Sequence, residues 1–269
     1  MTRPAVFGEY QWQVCSLREV PSGPVLPPHS QRVVAIFEAI ARASGRSIGC
    51  DVLDFGAGAG RHVAEFRAAG YNAIGVDQQH TSHEEGSVEP EYLRLVTPPD
   101  YVLPFADASF DFVFSTSVME HVLDPGAALV EIARVLRPDG WSVHVFPSRW
   151  RPIEPHMFTP FGGRFQSFAW MMVWARLGVR NNWQQGLDAR VVALRNTQYA
   201  KTGINYPPAA EWRLRAGFLF GDVRWLERPF IEATADLSRV SRVVRPLAGL
   251  PGVTSAYRAL HTRVLLLGQ

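Results

Sequence analysis

Two rhythms of apolar positions alternate along the chain. Short, mostly apolar runs, "CDVLDF" (50–55), "YNAIGVD" (71–77), "YLRLV" (92–96), "FDFVFST" (110–116) and "WSVHVFP" (141–147), read as strands, the first of them buried and apolar on both faces. Between them the spacing changes to that of a helix. Val33, Val34, Phe37, Ile40 and Ala41 share one face of a helix that Ser30 caps and that runs to about Ser44. Residues 61–69 form a second helix, with Gly70 as its stop, and "GAALVEIARVLRPDG" (126–140) a third, closed by Pro138 and Gly140. Strand and helix alternating at this rhythm predict an α/β fold, a doubly wound and mostly parallel sheet.

The alternation breaks after residue 147. The next sixty residues hold an irregular stretch, "EPHMFTPFGGRF", and one helix-like run, "FQSFAWMMVWARLGV" (165–179). The rhythm then resumes with a helix at 208–218, a strand in "GDVRWLERPF" (221–230), a helical segment at about 234–261, and a last strand, "TRVLLLG" (262–268). The reading is a single domain, 1–269, on a seven-stranded sheet. Residues 1–47 are an arm and a helix, 48–146 the cofactor-binding core, and 147–206 a helical cap insertion that carries substrate. Residues 207–269 supply a helix and the final strands, interrupted by a second insertion at 231–261.

Composition narrows the function. A formal net charge of +2 offers no strong field for nucleic acid. The two cysteines, Cys15 and Cys50, make no framework, and no secretory apolar segment opens the chain, which together fit a reducing, cytoplasmic setting. No apolar run is long enough to span a bilayer.

The stretch "DVLDFGAGAG" (51–60) carries the chemistry. Gly56, Gly58 and Gly60 let backbone approach a ligand at the carboxyl end of the first strand. A dinucleotide fingerprint wants glycine or alanine where Arg61 stands, and no Gly-Lys-Ser/Thr of a phosphate loop follows. Asp54 before the glycines and Asp77 at the end of the second strand suit a ligand with a ribose and an ammonium group but no pyrophosphate. S-adenosylmethionine (SAM) is such a ligand.

Residues 103–140, "LPFADASFDFVFSTSVMEHVLDPGAALVEIARVLRPDG", resemble the class I SAM-dependent methyltransferases of the UbiE/UbiG-like, type 11 group. The resemblance covers about residues 48–147, with Asp139-Gly140 where the group usually has Gly-Gly. It implies a Rossmann-like methyltransferase fold and SAM as cofactor. It implies that Asp54, Gly56, Ala57, Gly58 and Gly60 underlie the methionine part, that Asp77 holds the ribose, and that Gln78 flanks the adenine. Ser115 would offer its backbone to the ammonium. The group's adenine-binding acid falls on Pro99 here, with Asp100 one residue late, so backbone at Tyr101 and Val102 is left to pair with adenine.

Methyl transfer to a hydroxyl needs a base, and histidine titrates in the right range. His121, His156 and His144 are the candidates, with Glu120 placed to orient His121. Glu120, His121 and His144 together suggest a divalent metal, and some relatives hold magnesium on a Glu-x-x-Glu-His element; its first glutamate is Ser117 here, so the element is incomplete and no metal ligand set is assigned. The expected reaction is O-methylation of a hydroxyl on a glycan or another small molecule. A natural product, a quinone or a lipid, methylated at O, N or C, is the alternative acceptor, and a SAM-binding protein without transfer the alternative class. The Trp- and Met-rich run at 165–179 caps the pocket, forms a homodimer face or rests on a membrane surface.

Overall fold

In the computed structural model, which describes residues 32–78, 88–96 and 101–269, seven strands form one sheet. They are β1 (Asp51–Phe55), β2 (Asn72–Asp77), β3 (Leu93–Leu95), β4 (Phe110–Thr116), β5 (Leu136–Pro147), β6 (Asp222–Trp225) and β7 (Thr262–Gly268), in the order β3-β2-β1-β4-β5-β7-β6. All pairings are parallel except those of β7, which runs antiparallel to β5 and β6. Strand order reverses between β1 and β4, where a doubly wound sheet opens a crevice at its carboxyl edge.

Both faces of the sheet are covered at its centre, which is why β1, β4, the second half of β5 and β7 are buried along most of their length, whereas the edge strands β3 and β6 are only partly buried. Helices α1 (Arg32–Ser44) and α2 (Arg61–Ala68) lie on one face. Their Phe37 and Phe66 pack with Phe112 and Phe114 of β4, Phe114 having its ring centroid 4.9 Å from each. Alternate residues, among them Leu53, Val113, Leu265 and Leu267, face the other core, under α3 (Pro125–Val135) and α6 (Ala209–Ala216) with its buried Trp212. Glu65 of α2 accepts a hydrogen bond from the Val33 backbone and so ties the start of α1 to α2.

Three local readings change. The helix expected to close at Pro138 and Gly140 ends at Val135, and Leu136 opens β5 with ψ 139°. Proline drives the residue before it out of the helical region, and Arg137 is held there by Asp51 and Asp111. The strand expected over 221–230 stops at Trp225, and α7 (Glu227–Thr234) follows, with Pro229 in its first turn, where a missing N–H costs nothing. Within the insertion a second helix, α5 (Ala189–Thr202), packs against α4 (Phe168–Arg176). Its cap is Asp188, which accepts from Arg190 N at 2.7 Å, and Gly203 follows its end. The Trp- and Met-rich helix therefore does not lie alone: Met171 and Ala175 join Val192, Ala193 and Ala200 in a small separate core.

Both insertions leave the carboxyl edge of the sheet, one after β5 and one between β6 and β7. The second carries α7, α8 (Arg239–Val244) and α9 (Val253–Leu260). The ends of the first are drawn together: Pro147 pairs with Thr262, and Arg263 beside it donates to the Pro207 carbonyl at 2.6 Å. Ser148 N donates to His261 O at 2.9 Å, which joins one insertion to the other. The N-terminal arm, Cys15, the Ser30 cap, Pro99 and Asp100 lie outside the described residues. Among the described residues no helix is long and apolar enough to cross a membrane.

Candidate active site

Loop 54–60 caps β1 and turns its backbone toward the crevice. Gly56, Gly58 and Gly60 have φ of +87°, +55° and +76°, values that a side chain would strain. A Cβ on Gly56 would lie 2.3 Å from Val118, and one on Gly60 2.3 Å from Val88. The amides of Gly56 and Ala57 donate to Val76 O, and Gly75 on β2 leaves the room that Ala57 fills. Asp77 gathers the loop further, accepting from Gly58 N at 2.7 Å and from Gln78 N at 2.6 Å.

Asp54 is 1% exposed, and neither carboxyl oxygen has a hydrogen-bond partner. The His62 ring lies beside it, with Nδ1 at 3.8 Å, but burial lowers the His62 pKa and so disfavours a charged partner. Burial, and then the charge of Asp77, push its pKa well up. An orphaned buried acid under a loop that only glycines can form fits a ligand that brings donors, as SAM does with its ammonium and ribose hydroxyls. Tyr101, with φ +46°, is buried and its hydroxyl accepts from Leu123 N at 2.9 Å, while Val102 beside it is exposed.

The structure does not bring His144 to a pocket. It lies within β5, fully buried, with Nδ1 2.9 Å from the Ser115 hydroxyl and Nε2 3.1 Å from that of Ser142. Burial lowers its pKa to about 3. It is a neutral core residue with both nitrogens satisfied, and Ser115 has its side chain committed to it.

His121 and His156 do meet. Their Nε2 atoms are 3.2 Å apart, one ring edge-on to the other. Nδ1 of His121 is 2.6 Å from the Gly203 carbonyl, and Nδ1 of His156 is 2.7 Å from Glu154 Oε1. Glu154 is buried and also accepts from the His156 and Met157 amides and from the Tyr206 hydroxyl. Burial would raise its pKa, but these bonds and the charge of His156 hold it below the usual range. Burial pulls both imidazoles down; for His156 the bond and charge of Glu154 outweigh it and the net shift is upward, whereas His121 stays lowered. Glu120 is 1% exposed with neither oxygen hydrogen-bonded, and burial pushes it up to about 7.

Glu120 therefore does not orient His121, as the sequence suggested; the Gly203 carbonyl does. The acid that orients a histidine is Glu154, two residues before His156 in "EPH", a short-range signal that the sequence held. His156 also lines a cavity of about 980 Å³ inside the first insertion, with Tyr199, Asn181, Trp183 and Gln198. A second cavity of about 270 Å³ lies at the sheet edge below the other insertion, beside Ser117 and Arg151.

Residues 53–144 match a family model described as "Methyltransferase domain". An uncharacterized methyltransferase of Mycobacterium sp. (strain JLS) is 38% identical over 95 residues, 35% of this chain and 38% of the relative, so the match spans less than half of either protein. A ubiquinone biosynthesis O-methyltransferase of Rhodopseudomonas palustris (strain BisA53) is 29% identical over 218 residues, 73% of this chain and 82% of the relative. Among solved structures, the YcgJ protein of Bacillus subtilis has a TM-score of 0.46 at 18% identity, covering 88% of this chain and 97% of its own. The glycine loop, the acid ending β2 and the strand order converge with the family match. Over residues 53–144, about a third of its length, the chain is similar to methyltransferase domains.

Proposed function

We propose that this protein transfers a methyl group from SAM to a hydroxyl oxygen of a glycan or other small molecule held under the 147–206 insertion. The observation that carries the acceptor side is His156. It joins His121 and Glu120 at the carboxyl edge of the sheet and at the same time lines the 980 Å³ cavity of the insertion. A hydroxyl entering from that cavity meets the cluster best able to take its proton or raise its acidity. The amide side chains and the exposed ring of Trp183 around the cavity suit a sugar.

SAM, when bound, supplies an electrophilic sulfonium methyl. The chain's residues do the rest: the glycine loop and Asp77 fix the donor, and the insertion aligns the acceptor and keeps water out. Alignment and desolvation account for much of the acceleration in an in-line displacement. The Rhodopseudomonas relative favours a second acceptor, a phenolic hydroxyl of a quinone precursor. Release of S-adenosylhomocysteine, followed against panels of sugars and of catechol-type phenols, tests both. Turnover with a sugar supports the first reading and turnover with a phenol alone the second. SAM binding without turnover on either panel overturns the proposal.

A further inference from the structure

We infer that Glu120, His121 and His156 form a binding site for one divalent transition-metal ion of the zinc class. The starting point is where the ring protons must be. A carbonyl can only accept, so Nδ1 of His121 donates to Gly203 O. Glu154 accepts two amides and the Tyr206 hydroxyl, so it is a carboxylate, and Nδ1 of His156 donates to it. With both Nδ1 atoms protonated, the two Nε2 lone pairs point at one another across 3.2 Å. Neutral rings would repel in that position. Something positive belongs between them.

A single shared proton would answer the two nitrogens but not Glu120. That carboxyl is buried with both oxygens unpartnered, although one ligand atom from each of the three residues lies within 4.8 Å of the others. One metal ion satisfies all three at once. Two imidazole nitrogens about 2.05 Å from a tetrahedral zinc ion stand about 3.3 Å apart, close to the observed separation. Each imidazole also has the outer hydrogen bond that metal-bound histidines show, one to a carbonyl and one to a carboxylate. Two nitrogens and one oxygen select zinc, cobalt, nickel or iron(II) over magnesium, which prefers oxygen.

Three protein ligands leave a position open. Because His156 lines the insertion cavity, that position is reached from the acceptor's side. An ion there would lower the pKa of an approaching hydroxyl. This catalytic use rests on the methyl-transfer reading above; the site itself does not.

The test uses the full-length protein, stripped with chelator and dialysed, then titrated with Co²⁺ alone. Visible absorption bands of a nitrogen-ligated, low-coordinate cobalt ion should rise to one equivalent per chain, and zinc should displace them. Glu120→Gln and His156→Asn should weaken Co²⁺ binding by at least about 100-fold, and Glu154→Gln, which removes only the outer bond, by about 10- to 100-fold. Thermal melts check that each variant is folded; His121→Asn substitutes for any that is not. Absence of these bands in the wild type, or saturation unchanged in the folded variants, overturns the site. SAM-dependent turnover is measured on the same samples. Turnover by a protein that binds no cobalt would overturn the metal and leave the transferase reading standing. Cobalt binding with no turnover would support the site while counting against that reading.

Discussion

Replacing Asp77 by alanine tests the donor half of the site. In the structure its carboxylate receives two amides, Gly58 N at 2.7 Å and Gln78 N at 2.6 Å. In the proposed complex it also receives the ribose hydroxyls. A hydrogen bond to a charged group contributes about 1.5–3 kcal/mol. The alanine variant should therefore lose about 1.5–3 kcal/mol of SAM affinity, which is about 10- to 150-fold in Kd. The freed Gly58 amide lies on a partly exposed loop that water can reach, so folding stability should fall by no more than about 1 kcal/mol. Asp77→Asn keeps one acceptor oxygen and should fall between. Titration calorimetry with SAM and with S-adenosylhomocysteine reads the affinity, and urea unfolding reads the stability. A folded alanine variant that binds SAM as tightly as the wild type would refute the ribose assignment. A variant whose stability drops as much as its affinity would show Asp77 to be a staple of the loop instead.

Three further expectations follow from other groups. Asp54 has a folded pKa raised above its unfolded value, so its contribution to stability is lost as pH rises through the folded pKa. Without ligand, Asp54→Asn should be more stable than the wild type at neutral pH, with the gain vanishing below the ordinary carboxylate range; urea melts across pH showing no such gain would count against an unpaired buried acid. Gly56→Ala must accept both a φ of +87° and Val118 at 2.3 Å, whereas Gly70→Ala, at φ +92°, meets nothing within 4 Å. The second should cost only about 1–2 kcal/mol for the left-handed backbone, the first more, and equal costs in denaturation would mean that the glycine loop has room to spare. His144→Asn should lower stability by about 1–3 kcal/mol through the buried serines it leaves unpaired, yet leave the pH profile of transfer unchanged. Since His144 has a folded pKa lowered to about 3, its stabilisation is present above the ordinary histidine pKa and is lost as pH falls toward 3; that acid slope should disappear in the variant.

The sheet was legible because parallel strands covered on both faces must be apolar, as β1 and β4 are, while the short edge strand β3 shows only in its two leucines around Arg94. Helix ends were less so. The 126–140 helix looked as long as its periodicity, but the backbone rule for the residue before Pro138 decides its end. The α5 helix escaped because its buried face includes Asn196, a polar residue satisfied by Gln184 and thus invisible to an apolar pattern. The glycine loop and both acids could be read from local spacing, since β1, β2 and the turn between β1 and α2 fix their places. The histidines could not be ranked, because what separates them is contact across the fold. His144 and His121 are close in sequence, yet one is walled in by serines and the other meets a ring 35 residues away.

The closed neck of the first insertion has a consequence for how such proteins diversify. With Pro147 paired to Thr262 and Pro207 held by Arg263, a segment of any length entering and leaving there starts from ends already joined. Its length then enters folding only through the entropy of a loop, about 0.6 kcal/mol for each doubling. The donor-binding frame can stay fixed while that segment is lengthened, shortened or exchanged. Chimeras that keep residues 147 and 207 as junctions are therefore the natural route to new acceptors on this scaffold.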